Sequence, residues 1–378
     1  MANNNNTKNL NVPNLRFPEF KGEWEETTLG KCVIQPLDYG MNAAAITYDG
    51  ENKYIRITDI DEQSSQYISD SPVSPAGQLL DKYIVEENDI LFARTGASTG
   101  KTYLYKKKDG KLYFAGFLIR AKIKTECNST FIFAQTKTVR YYKWVRFMSI
   151  RSGQPGVNSQ EYASYRFLIP QKEEQDKIAT FLSLLDSRIE AQIKIIEDLK
   201  KLKSSLLDLL FQNNSKWSTY CISDVLTIGN GRNYKHLREG NIPVYGTGGY
   251  MLSVNDYLYE GESVCIGRKG TIDMPMFLTG KFWTVDTLFY TYNFRNILPR
   301  FCYYLFTTIN WSRYNEASGV PSLSKTTIEK IKVSVPSLNE QEHICSILDS
   351  VNIKINIEIS ILAKFKAQKS YLLRQMFI

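Results

Sequence analysis

Residues 96–102, GASTGKT, come nearest in this chain to a phosphate-gripping loop, in which glycine-rich backbone cradles phosphates and a lysine reaches the terminal one. That device needs four residues between its glycines, and only Ala97, Ser98 and Thr99 stand there. The stretch therefore reads as a turn between strands, with glycine where the backbone needs positive φ. YGTGGY at 245–250 is a second glycine-rich turn, with no dinucleotide fingerprint after it. His236 and His343 are the only histidines, each without an obvious partner. Cys32, Cys127, Cys221, Cys265, Cys302 and Cys345 contain no Cys-x-x-Cys pair, which fits reduced thiols better than a zinc site or a disulfide framework. No His-Glu-x-x-His and no Asn-Pro-Pro-aromatic signature occurs, so catalysis has no residues to carry it.

What remains is the chemistry of contact. Arg94 and Arg268 each stand two residues before a glycine, in DILFARTG and SVCIGRKG, where each serves either a phosphate or base contact or the bracing of a turn. The elements that hold them are repeated. Slid by 166 positions, Pro170 falls on Pro336, Glu174 on Glu340, Gln175 on Gln341 and Ile178 on Ile344. SGQPGV at 152–157 lies over SGVPSL at 318–323 in the same register. Further upstream the offset becomes 174, matching Arg94 to Arg268, and then 193, matching Trp24 to Trp217. The second copy thus lacks 27 residues of interior, and the chain is a duplication of a globular domain followed by a helix.

From Ile178 the apolar residues recur at spacings of three and four. Leu182, Ile189 and Ile196 fill one heptad position, and Ile178, Leu185, Leu199 and Leu206 the other. The second copy repeats the stripe with Ile344, Leu348, Val351, Ile355, Leu362, Phe365 and Leu372. Polar residues interrupt both stripes at equivalent places, Gln192 and Lys203 against Glu358 and Lys369, which costs stability and fixes register. A helix over 175–212 would be about 57 Å long at about 1.5 Å per residue. In the globular segments YIRITDI, DILFAR, YFAGFLIRAKI, SVCIGR and KFWTVDTLFYTY read as strands, and residues 130–149 and 296–310 as single helices. The fold class expected is α+β: two mixed domains joined by two long helices that pair as an antiparallel coiled coil, in a pseudo-twofold repeat.

The repeated Pro, spacer, Glu-Gln-x-x-Ile and long helix, the DILFARTGASTGK stretch, the SGxP loops and the opening LRFPEFKGEWEETTLG together resemble the specificity subunits of type I restriction–modification enzymes, over nearly the whole chain. The resemblance implies a non-catalytic subunit. Target recognition domains would occupy 1–170 and 213–336, a central spacer helix 171–212, and a C-terminal spacer helix 337–378. Each domain would read one half of a split site in double-stranded DNA, and the helix pair would set the gap. Methyltransferase subunits would dock on the helices, with Glu174, Gln175, Glu340 and Gln341 as the expected partner-binding residues, and motor and nuclease subunits would join through them. S-adenosylmethionine, ATP and Mg would reside on those partners, and this chain would hold no cofactor or metal.

Charge is consistent with a DNA partner. The net charge is +8, and residues 171–212 and 337–378 together sum to zero, so the surplus lies in the globular segments. Base readers belong where the copies differ, which nominates Lys101, Lys106, Lys107, Arg232, Asn233, Lys235, Arg238 and Lys269, then Gln154, Asn158 and Lys325 around the SGxP loops, beside the shared Arg94 and Arg268. RYYKWVR at 140–146 interleaves basic and aromatic residues as an ordinary amphipathic helix also does. The polar start has no secretory pattern and no apolar run approaches the roughly 20 residues that span a bilayer, so a cytoplasmic location is expected. Two rivals are a structural coiled-coil scaffold without DNA specificity and a nucleotide hydrolase or methyltransferase in its own right.

Overall fold

The computed structural model describes residues 11–150, 154–212 and 217–378; Ser152 and Gly153 of the first SGxP loop fall outside the described residues. The chain forms two compact units, one of residues up to Ala191 together with Leu362–Ile378, the other Gln192–Ile361. These units cut across the four segments expected from the sequence, because each takes part of both long helices.

The duplication is written in hydrogen-bond register. Glu25–Thr28 pairs antiparallel with Arg166–Ile169, Glu25 opposite Ile169; Ser218–Cys221 pairs with Lys332–Val335, Ser218 opposite Val335. The sequence offsets of 193 and 166 carry one pair onto the other residue for residue. In the first unit a four-stranded antiparallel sheet runs in the order Asp38–Tyr39, Leu118–Lys122, Asp89–Ala93, Thr102–Leu104. Every residue of Asp89–Ala93 is buried, and period-two alternation divides them. Ile90 and Phe92 join the core beneath the long helix, while Leu91 and Ala93 join the cluster on the other face. That two-sided burial is why the strand reads as an unbroken apolar run. The second unit answers with Thr227–Asn230, Leu288–Tyr292, Ser263–Gly267, Met276–Leu278, and adds a second sheet built on the hairpin Glu239–Gly246 and Gly249–Val254.

Several expected elements are shorter or divided. YIRITDI is strand only to Ile55, then a single turn Ile57–Asp59 in which Arg56 and Asp59 bond reciprocally. YFAGFLIRAKI and KFWTVDTLFYTY are each two strands around a turn. The single helix expected over 130–149 is two, Ser129–Gln135 and Val139–Met148. Thr138 causes the break, its hydroxyl accepting from Tyr141 N as the cap of the second helix. The helix expected over 296–310 stands as Pro299–Thr308.

Lys172–Leu210 and Leu338–Met376 are unbroken helices of 39 residues each. Of the fourteen seam residues, Ile178, Leu182, Leu185, Ile196, Ile344, Leu348, Ile355 and Leu372 are buried and the other six are half-buried. In the first unit Lys369 pairs with Asp186 and the Arg188 guanidinium lies 4.9 Å over the Phe365 ring, so rising numbers on one helix meet falling numbers on the other. In the second unit Gln192 Nε2 donates to Glu358 Oε2 at 2.5 Å and to the Glu358 carbonyl at 3.2 Å, and that bond holds the carboxyl below its ordinary range. The duplicated interruptions are thus partners across the seam at one of their two places.

Glu174, Gln175, Glu340 and Gln341, expected to bind a partner, are each engaged inside their own unit. Gln175 donates to the Pro170 carbonyl and accepts from Asn128 N; Gln341 donates to the Pro336 carbonyl and accepts from Leu298 N. Glu174 accepts the indole N–H of Trp24, and Glu340 that of Trp217. Glu174 also takes the Arg16 fork at 2.7 Å. Trp24 sits against Phe131 and Phe377, Trp217 against Phe301 and Phe211. Glu174, Gln175 and Gln341 are at most 3% exposed, so they fasten helix to domain inside each unit instead of facing a partner.

Candidate nucleic-acid interface

Each inner strand runs out into Arg-x-Gly, and in both units that turn is bolted to the SGxP loop. Gly96 has φ +68° and Gly270 φ +87°, the left-handed region that favours glycine. Arg94 N donates to Phe117 O at 3.0 Å and Arg268 N to Thr287 O at 2.7 Å. Gly96 N reaches Pro155 O and Gly270 N reaches Pro321 O, both at 2.9 Å. Val157 N returns to Arg94 O and Leu323 N to Arg268 O, again both at 2.9 Å. Each Arg-x-Gly turn is therefore held by three backbone bonds, two of them at the arginine, in a cradle that Pro155 and Pro321 help to close.

The side chains on these cradles differ. The half-buried Arg94 guanidinium lies 4.8 Å over the Tyr39 ring and lines an open cleft of about 660 Å³ with Tyr39, Met41, Asn42, Arg56 and Phe117. Arg268 and Lys269 are exposed. Gln154 is exposed, with its amide about 3 Å from where a Cβ on Gly96 would stand, whereas the equivalent position in the second unit is Val320, 65% exposed. Arg232, Asn233, Lys235 and Arg238 are exposed, and Lys235 and Arg238 line a groove of about 730 Å³ with Tyr250 and Met251 of the hairpin.

Other candidates are occupied within the chain. Lys106 pairs with Glu190 of the central helix at 2.9 Å and Lys107 with Glu87 at 3.0 Å. Lys325 pairs with Glu329 one turn on. Asn158 caps the helix Ser159–Ala163, accepting from Glu161 N while its own N–H donates to the Glu161 carboxylate. Each of these four thus has a partner within its own unit, and Lys107 holds its partner in an exposed pair. Lys101 is half-buried behind the turn. The GASTGKT stretch spends four of its amides internally: Gly96 N on Pro155, Thr99 N on Gly96, Gly100 N on Ala93 and Lys101 N on Ser98. A strand, Thr102–Leu104, follows where a phosphate loop would open a helix.

Sequence reasoning missed the ring beneath Arg94. A lone Tyr39 carried no signal, since the pairing of Asp38–Tyr39 with Leu118–Lys122 is what brings it there. It also missed the approach of Cys127 to Cys32, where the neighbouring thiol pulls the Cys127 pKa down to about 7. Among the described residues no group of three or more His, Cys, Asp and Glu could hold a metal, and no helix is long and apolar enough to cross a membrane.

Two unlike domains, each presenting an arginine on the same backbone cradle and each fastened to a long helix, define a tandem recognition protein. The family model described as the type I restriction modification DNA specificity domain matches residues 40–201 and again 214–367. The chain belongs to that family, whose members are the non-catalytic DNA-recognition components of their complexes. It is 22% identical to the type I restriction enzyme MjaVIII specificity subunit of Methanocaldococcus jannaschii, over 91% of this chain and 89% of that one. It is 28% identical to a putative type I restriction enzyme specificity subunit, S.HindORF215P, of Haemophilus influenzae, over 30% of each chain. Its fold is that of the crystallised type I restriction–modification S subunit from M. genitalium, at a TM-score of 0.65 and 18% identity, covering 97% of this chain and 99% of that one.

Proposed function

We propose that each unit reads one half of a bipartite DNA target, that the helix pair sets the gap between the halves, and that methyltransferase subunits dock on the helices and bring motor and nuclease subunits with them. On this reading S-adenosylmethionine, ATP and Mg belong to those partners. The observation that carries it is the duplicated arginine cradle: identical backbone fixes a DNA-facing turn in both units, while the side chains around it differ, so a shared frame serves two sequences. The scaffold rival does not account for a basic surplus confined to the globular segments, and the enzyme rival has no phosphate loop to work with. For docking, the central helix carries Ile195, Leu202 and Leu209 at heptad spacing, 44–61% exposed, off the seam, and the second long helix carries exposed Ile353 and Ile357. Solvated apolar residues in such a row suit a partner subunit.

The gap is tested by removing one matched heptad from each helix, residues 188–194 and 358–364, which takes Gln192 and Glu358 out together, keeps the seam in phase and leaves the exposed Ile195, Leu202, Leu209, Ile353 and Ile357 in place. Seven residues shorten a helix by about 10 Å, or about three base pairs at about 3.4 Å each. Methylation mapping after co-expression with the methyltransferase is expected to show unchanged half-sites at an altered gap. Altered half-sites at a constant gap reject the proposal.

A further inference from the structure

Arg94 and Arg268 are equivalent in backbone and unlike in mounting. The other buried or half-buried arginine forks in the first unit are committed: Arg16 to Glu174, Arg56 to Asp59 and Arg120 to Asp38. Arg94 is half-buried yet has no ion pair or side-chain hydrogen bond among the described residues. What it has is a platform. Tyr39 supports the guanidinium plane, and Tyr39 is itself fixed by its strand pairing with Ile119 and by a hydrogen bond from Ser159 N to its hydroxyl at 3.1 Å. A guanidinium carbon 4.8 Å from a ring centroid is within cation–π range, which restrains the fork before any ligand arrives.

A phosphate contact needs no such orientation, because a phosphate accepts from many directions and any mobile cation serves. An edge-on fork matches the paired O6 and N7 acceptors of guanine in the major groove. The cleft beside the fork supplies the rest of a base-sized setting: Phe117, 60% exposed, and Met41 offer apolar surface, and Asn42 stands on the same rim. Arg268, exposed and with no ring beneath it among the described residues, is mounted for phosphate.

We propose that Arg94 is a specificity-determining residue that reads a guanine in the half-site of the first unit, with Tyr39 as its positioning residue. This rests on the two-reader function above and assigns one base of it. The test is methylation mapping by the full chain co-expressed with its methyltransferase subunits, together with binding of the complex to duplexes that vary one base pair at a time. Arg94→Ala is expected to erase preference at a single guanine, lowering cognate affinity about 10- to 100-fold, with the other half-site read as before. Arg94→Lys keeps the charge and is expected to fail to restore that preference. Tyr39→Leu is expected to blur the same base pair. Retained preference at the other base pairs of the first half-site reports a folded first unit in each variant. Uniform weakening across all sequences, with a salt slope reduced by about one and no base relaxed, marks a phosphate contact and overturns the assignment. Unaltered specificity overturns it equally, whereas absence of any sequence preference in the unsubstituted complex sinks the two-reader function instead.

Discussion

Gln341→Met tests how the second unit is fastened to its helix. The substitution keeps side-chain length and volume and removes every hydrogen bond. Three partners lose theirs at once: Leu298 N, which donates to Gln341 Oε1 at 2.8 Å, and the Asn296 and Pro336 carbonyls, which accept from Nε2 at 2.9 and 3.0 Å. Gln341 is fully buried, so water cannot take its place. An orphaned buried group costs about 1–3 kcal/mol, and carbonyls tolerate under-satisfaction better than N–H groups, so the sum is about 3–5 kcal/mol. The assay is denaturant unfolding followed by tryptophan fluorescence, with Trp217 beside the site, and native-state hydrogen exchange at the Leu298 amide. At about 1.4 kcal/mol per tenfold, protection of the second unit is expected to fall on the order of a thousandfold, while Gln154→Met, at an exposed position, changes little. A loss below about 1 kcal/mol would refute the claim that the repeated Glu-Gln is an internal fastening.

The seam gives a second expectation. Gln192→Leu alone leaves the Glu358 carboxylate beside leucine with Lys354 as its side-chain partner and is expected to lower the melting temperature of the second unit, while the added Glu358→Leu recovers most of that loss; thermal melts of both singles and the double check it, and additive losses contradict it. Lys137 gives a third, its ammonium donating to the hydroxyls of Ser65 and Thr102 and lying over the Phe133 ring. Burial pulls its pKa from 10.5 to about 7, with Lys369 pushing the same way and Asp186 opposing. Between about pH 7 and 10.5 the unfolded chain therefore holds more protons than the native one, and the stability of the first unit rises with pH by at most about 1.4 kcal/mol per unit. Lys137→Met should flatten that rise relative to the unsubstituted chain, and parallel stability–pH curves would contradict the account.

The architecture was legible because duplication prints the same register twice. Offsets found by sliding the sequence predict which residues face each other in the two short strand pairs, and heptad spacing marks all fourteen seam positions. Local breaks were harder. Thr136-Lys137-Thr138 looks like the middle of an amphipathic helix until the Thr138 hydroxyl is recognised as a cap. Glu174 and Glu340 looked like surface charges at a helix start, although a repeated tryptophan with an N–H to satisfy was a hint that each had an internal donor. Charge alone could not show which lysines are paired, because the partners of Lys106 and Lys107 lie at Glu190 and Glu87, brought near by folding and by no local pattern.

The uneven partition of the chain bears on the order in which it matures during synthesis. Gln192–Ile361 is contiguous and holds every strand and helix segment of its own unit, whereas the unit that begins earlier needs Leu372, Met376 and Phe377 to complete the core around Trp24. The half translated later can thus consolidate first, leaving the earlier half an open hydrophobic socket until its missing segment emerges from the ribosome. Nascent-chain quality control would have to protect that socket while Gln192–Ile361, a little under half of the chain, is made.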